Sequence, residues 1–158
     1  MEPIQKAITG SEDQGGLTSA FQVLVQFYCA FNKRDIVMME QNWANNNEIA
    51  MDNPLGGIKR GWNEIRSVYE RIFNGSADVY VEYYDYTIHQ TPEIFYAVGR
   101  ERGYLRLDGK ELKLAIRTSR IFQKIDGKWR QVHHHGSIED PQLLAAYQGA
   151  VAGGKSVT

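Results

Sequence analysis

The chain contains a single cysteine, Cys29, among 158 residues. No disulfide can form within it, so its stability has to come from packing. Cys29 sits in an apolar helical stretch and reads as a small buried hydrophobe. There are only 4 prolines and no Pro- or Ser-rich tract that would mark a linker. Neither sign of charge dominates: 18 Lys and Arg face 19 Asp and Glu, a formal net charge of −1. That balance argues against nucleic acid or an anionic membrane as the partner. No apolar run approaches the roughly 18 residues that span a bilayer. The opening Met1-Glu2-Pro3-Ile4-Gln5-Lys6 has no signal-like core. A cytoplasmic protein without membrane contact is expected. Histidine is also scarce, at 4 residues, three of them adjacent at His133-His134-His135. A metal site needs three or four converging ligands, and His89 is the only other histidine. No metal and no cofactor is expected.

What the chain does contain is a change of period. Gly10, Ser11, Gly15 and Gly16 punctuate residues 1–16, which read as a flexible leader. Ser19 and Gln22 have capping-box spacing, and Phe21, Leu24, Tyr28 and Phe31 follow at helical intervals. Asp35 can cap a second helix bearing Met38, Met39 and Trp43. A short strand at 48–52 ends at Asn53-Pro54-Leu55-Gly56-Gly57, a loop rich in turn residues. A third helix carries Trp62, Ile65, Tyr69, Ile72 and Phe73 on one stripe. From Val79 the period becomes that of strands. Asp108-Gly109 and Asp126-Gly127 are hairpin signals that divide 94–107, 111–125 and 128–138. Asp140-Pro141 opens a short helix, and 149–158 reads as a flexible tail. One domain is expected at 17–148, of α+β class, with three N-terminal helices packed on a curved, mostly antiparallel sheet. Such a sheet wraps a hollow that holds a small ligand.

The loop and helix Asp52-Asn53-Pro54-Leu55-Gly56 to Arg60-Gly61-Trp62-Asn63-Glu64-Ile65, and above all Arg120-Ile121-Phe122, Asp126-Gly127-Lys128-Trp129 and Val132-His133-His134-His135-Gly136-Ser137, carry a resemblance. The chain resembles the SnoaL-like and ketosteroid isomerase-like proteins of the nuclear transport factor two fold, a cone. It is most similar to the subgroup of the calcium/calmodulin-dependent kinase II association domain. The isomerases' catalytic positions do not carry over. Their base falls on Asn53, their helix-one tyrosine on Phe27 with Tyr28 beside it, and their second acid on Ser119 or Arg120. The association domain's pocket resembles a carboxylate receptor. Arg100 and Arg120 match two of its arginines; the third falls on Gly136, its histidine on Ile65 and its tryptophan on Phe73.

Two functions follow as expectations. The first is a dimerising domain that binds a small organic ligand, a carboxylate by the resemblance, through Arg100, Arg120, Phe73, Asn53, Trp62 and His134. The second is a small cofactor-independent isomerase, dehydratase or cyclase, with Asp52 and a pocket histidine as acid and base and Tyr28 as donor. The residues alone leave another use for the arginines, pairing with Glu82, Asp85 or Glu101. Strand alternation puts His133 and His135 on the face of Trp129 and His134 on the other, with Gly136. By that parity His134 looks into the pocket. An apolar outer sheet face further predicts a homodimer or a higher homo-oligomer.

Overall fold

A computed structural model describes residues 1–152, and the last six positions of the expected tail lie outside the described residues. Helix α1 (Ala20–Asn32) begins at a capping box in which Ser19 and Gln22 satisfy each other's backbone. Helix α2 (Ile36–Asn42) is capped by Asp35, whose carboxylate accepts from the Met38 amide at 2.9 Å. Strands β1 (Ala50–Asp52) and β2 (Lys59–Arg60) bracket the Asn53–Ile58 loop, and helix α3 (Gly61–Phe73) follows directly. The long strands are β3 (Asp78–Gln90), β4 (Ile94–Leu107), β5 (Lys110–Ile125) and β6 (Lys128–Ser137), and helix α4 (Pro141–Ala152) closes the described chain.

The six strands form one sheet in the order β2-β1-β6-β5-β4-β3. All neighbours are antiparallel except β1 with β6, which run parallel. The two-residue β2 and the parallel pairing are additions to the sequence reading. At both Asp-Gly turns each residue has positive φ: 52° and 73° at Asp108-Gly109, 51° and 78° at Asp126-Gly127. That is the backbone that lets a two-residue turn follow the strands' twist.

The helices cover one face of the sheet, and alternate strand residues meet them. Val79, Val81 and Tyr83, then Phe95, Ala97, Glu101 and Leu105, then Leu114, Ile116, Thr118, Arg120 and Phe122 are all buried on this inner side. One extra residue breaks the alternation in β6. Ile121 pairs with His133 and Phe122 with Gln131, so Val132 is a bulge. Trp129 and Gln131 therefore share the inner face with His134 and Gly136, whereas strict alternation had separated Trp129 from His134.

Two segments depart from expectation. Residues 1–16, expected as a flexible leader, lie along the outer edge of β3. Ile4 bonds to Tyr86 and Ile8 to Tyr83 in both directions, and Ile8 is fully buried. Gly10 is pressed so closely on α1 that a Cβ there would stand 2.3 Å from the Cys29 amide nitrogen. With α2 and the sheet on its other sides, most of α1 is buried, but Phe21, expected in the core stripe, is 41% exposed. At the other end, α4 runs past residue 148, where the domain was expected to stop, and buries Tyr147 against the domain.

Candidate functional site

Between α1, α3, the inner face and the 53–55 loop lies a cavity of about 40 Å³. Its wall is mostly apolar, with Phe27, Val68, Leu55 and Ile116 among its members, and Tyr147 of α4 closes it. Asn53, Glu101, Arg120 and His134 also line it, together with the hydroxyl-bearing Tyr69.

Arg120 is 1% exposed, and each of its three nitrogens donates within the protein. One terminal nitrogen donates to Glu101 Oε1 at 2.8 Å, the other to Gln131 Oε1 at 2.8 Å, and Nε to the Tyr28 hydroxyl at 3.4 Å. Its guanidinium lies 3.6 Å above the Phe27 ring centroid. Tyr28 donates its own proton to Glu101 Oε1 at 2.7 Å. The network continues inward, from Gln131 Nε2 to Asn42 Oδ1 at 3.0 Å and from Asn42 Nδ2 to Gln26 Oε1 at 3.0 Å. An ion pair this deep has desolvation to offset, and the extra hydrogen bonds supply that. Burial drives the Tyr28 phenol well above its ordinary range, so it stays a neutral donor.

His134 is different. It is 7% exposed, and neither ring nitrogen has a hydrogen-bond partner among the described residues. Burial, reinforced by the Arg120 charge, pushes its pKa well below 6.5, so the ring is neutral. A neutral imidazole carries one donor and one acceptor. The Tyr69 hydroxyl on the same wall also lacks a partner, and burial pushes its pKa up to about 12.

The remaining sequence candidates divide by face. Arg100 lies on the outer face, its side chain 47% exposed and 3.4 Å from Asp85. The inner positions of β4 are the odd ones, and Glu101 takes the place expected of Arg100. Asp52 is also outside. Its register partner is His135, while Met51 partners His134. Its carboxylate meets His135 Nδ1 and lies 3.4 Å from His133 Nε2. Asp52 and a histidine do pair, but across the sheet from the cavity and with the other two histidines. Tyr28 stands beside the cavity with its hydroxyl committed to Glu101. Phe73 and Trp62 are core residues rather than wall; Phe73 packs on Phe31 and Tyr69 at 5.8 and 5.9 Å. Gly136 cannot give way to a larger residue cheaply, because a Cβ there would stand 3.0 Å from Pro54 Cδ. Sequence reasoning passed over Tyr69, Gln131 and Tyr147 as site residues and treated Glu101 only as a rival partner for the arginines. Phe95, Ala97, Gly99 and Glu101 share one face by alternation, but the equally apolar Ile94, Tyr96 and Val98 leave that face unassigned from the residues alone.

The model of a SnoaL-like domain family matches residues 21–141. The F-box protein SKIP8 of Arabidopsis thaliana is 23% identical over 128 residues, covering 77% of this chain and 52% of that protein. The chain thus spans about half the length of that curated relative. A solved structure from Thiobacillus denitrificans, named for the calcium/calmodulin-dependent protein kinase type II association domain, superposes with a TM-score of 0.64 at 19% identity over 77% of this chain and 96% of its own. A nuclear transport factor 2-like superfamily protein from Salmonella enterica gives a TM-score of 0.64 at 21% identity over 73% of this chain and 85% of its own. At such identities the likeness is one of fold.

Proposed function

The chain belongs to the family of SnoaL-like domains, and we propose on that premise that it binds a small, uncharged organic molecule in the cavity beside His134. The observation that carries this reading is the buried His134 ring with both nitrogens unpartnered. An unsatisfied buried polar group costs about 1–3 kcal/mol, and a ligand offering a hydroxyl or carbonyl group removes that cost. The apolar wall takes the rest of the molecule. A carboxylate, expected from two pocket arginines, is the poorer fit. Arg100 is outside and the charge of Arg120 is met by Glu101, so the wall offers an anion no free positive charge. At about 40 Å³ the cavity is smaller than the roughly 150 Å³ that admits benzene. Binding therefore displaces part of the wall, and the part proposed to move is α4, which Tyr147 seats on the domain and Gln148 ties to the Pro54 and Leu55 carbonyls. The enzyme reading loses its acid/base pair, because Asp52 and His134 stand on opposite faces.

Phenol and benzoate share the benzene ring and differ in charge, so a thermal shift series with both tests the reading. Phenol is expected to raise the melting temperature in a saturable way and benzoate to leave it unchanged. His134→Phe, which fills the space without a polar atom, is expected to abolish the phenol effect. Stabilisation by benzoate but not phenol, or an unaltered phenol effect in the variant, overturns it. The domain is further proposed to pair with a second copy through the end of its outer sheet face where Ile94 and Tyr96 are each 45% exposed.

A further inference from the structure

The outer face has chemistry of its own. A depression of about 550 Å³ lies across β3, β4, β5 and β6, on the opposite side of the sheet from the cavity. Two arginines face each other across it, because Arg100 of β4 and Arg117 of β5 are direct register partners. Directly opposed residues have Cβ atoms about 4.5–5.5 Å apart, and like charges there repel. Each guanidinium has one acidic neighbour, Asp85 at 3.4 Å from Arg100 and Glu139 at 3.0 Å from Arg117. Their donors are far from used up. Arg100 makes no hydrogen bond among the described residues, and Arg117 donates through Nε to the Ser137 hydroxyl at 3.2 Å. Asp85 is held beside Arg100 by unusual backbone: it lies in the bulge between Tyr84 and Thr87 with φ of 50°, and Gln5 fixes its other oxygen at 2.7 Å. A left-handed non-glycine residue costs free energy and recurs at functional sites.

The next row of the same face adds hydroxyl and imidazole groups. Thr87, Val98, Ser119 and His135 are successive register partners across the four strands, and all line the depression. His135 turns Nδ1 to Asp52, so its orientation is fixed from the neighbouring strand. Two half-used guanidiniums, two serines, a threonine and an oriented histidine thus surround one hollow. Planar guanidiniums match tetrahedral oxyanions through paired donors, and two close positive charges are best met by a doubly charged group.

We infer that this outer depression is a second ligand site, specific for a phosphate monoester group, with Arg100 and Arg117 as its clamp. Inorganic phosphate is the probe. At constant ionic strength it is expected to raise the melting temperature saturably while chloride does not. Arg100→Gln and Arg117→Gln are each expected to weaken the apparent affinity at least tenfold; both side chains are about half exposed, so the folded state tolerates the change. Lys128→Gln, on the remote Asp126-Gly127 turn, is expected to change nothing. His134→Phe is expected to leave phosphate binding intact, which separates this site from the cavity. Equal stabilisation by chloride overturns the inference, as does an unchanged affinity in both arginine variants. It also falls if wild-type protein sediments as a dimer that Arg117→Gln dissociates while phosphate fails to bind, for then a second copy occupies the arginines.

Discussion

Arg120, Glu101 and His134 show how one inner face can hold polar groups of opposite character. The first two satisfy each other; the third is satisfied by nothing among the described residues. Breaking a buried pair costs more than replacing it, about 3–5 kcal/mol against little or nothing. Glu101→Gln is therefore expected to lose about 3–5 kcal/mol in urea unfolding, and the double variant Glu101→Gln with Arg120→Met to recover most of it. His134 gives a pH dependence of known sign. Its folded pKa is depressed, so below about 6.5 the unfolded chain binds a proton that the folded protein refuses. Its contribution is complete above that pH and falls away as pH drops, by at most about 1.4 kcal/mol per pH unit. Urea midpoints between pH 7.5 and 5 should show this decline, and His134→Phe should flatten it. An unchanged slope in the variant would assign the decline to other groups.

At the level of elements, two β-bulges decide where side chains go. The Val132 bulge returns His134 to the face of Trp129 and Gln131, and the bulge at Asp85 brings that carboxylate to Arg100. A period-2 reading of β6 carries no sign of an inserted residue, since Trp129, Val132 and the histidines suit either face. Strand β4 is ambiguous for a related reason. Its even positions Ile94, Tyr96 and Val98 are as apolar as its odd positions Phe95 and Ala97, so alternation alone did not assign Arg100 to the outside. Close approach of β3 and β4 is legible only in three dimensions. A Cβ at Gly103 would stand 1.9 Å from the Tyr80 carbonyl oxygen. Gly103→Ala is expected to cost more than about 3 kcal/mol, measured by urea unfolding, because two paired strands must separate. A loss under 1 kcal/mol would show that the pair yields easily.

For the molecule as a whole, the sheet separates two chemistries, an apolar cavity within and a charged depression without. The outer face also bears on assembly. Sedimentation is expected to give twice the 18.0 kDa chain mass, and Tyr96→Lys to return it to a single copy. Wild-type protein that sediments only as one copy at high concentration would remove the second copy from this face.

The amino-acid sequence by itself determined the α+β class, the order of the long elements and both Asp-Gly hairpins, because these rest on periodicity, caps and turn residues that act over a few neighbours; the family came from the resemblance carried by the motifs at 52–65 and 120–137. Tertiary structure alone decided which charges meet. Arg120 with Glu101, and Asp52 with His133 and His135, are joined by strand register and bulges, and a shift of one residue carries a side chain through the sheet to the other side. The same holds for residues 1–16, whose glycines read as freedom until β3 and α1 supply the surfaces on which they pack.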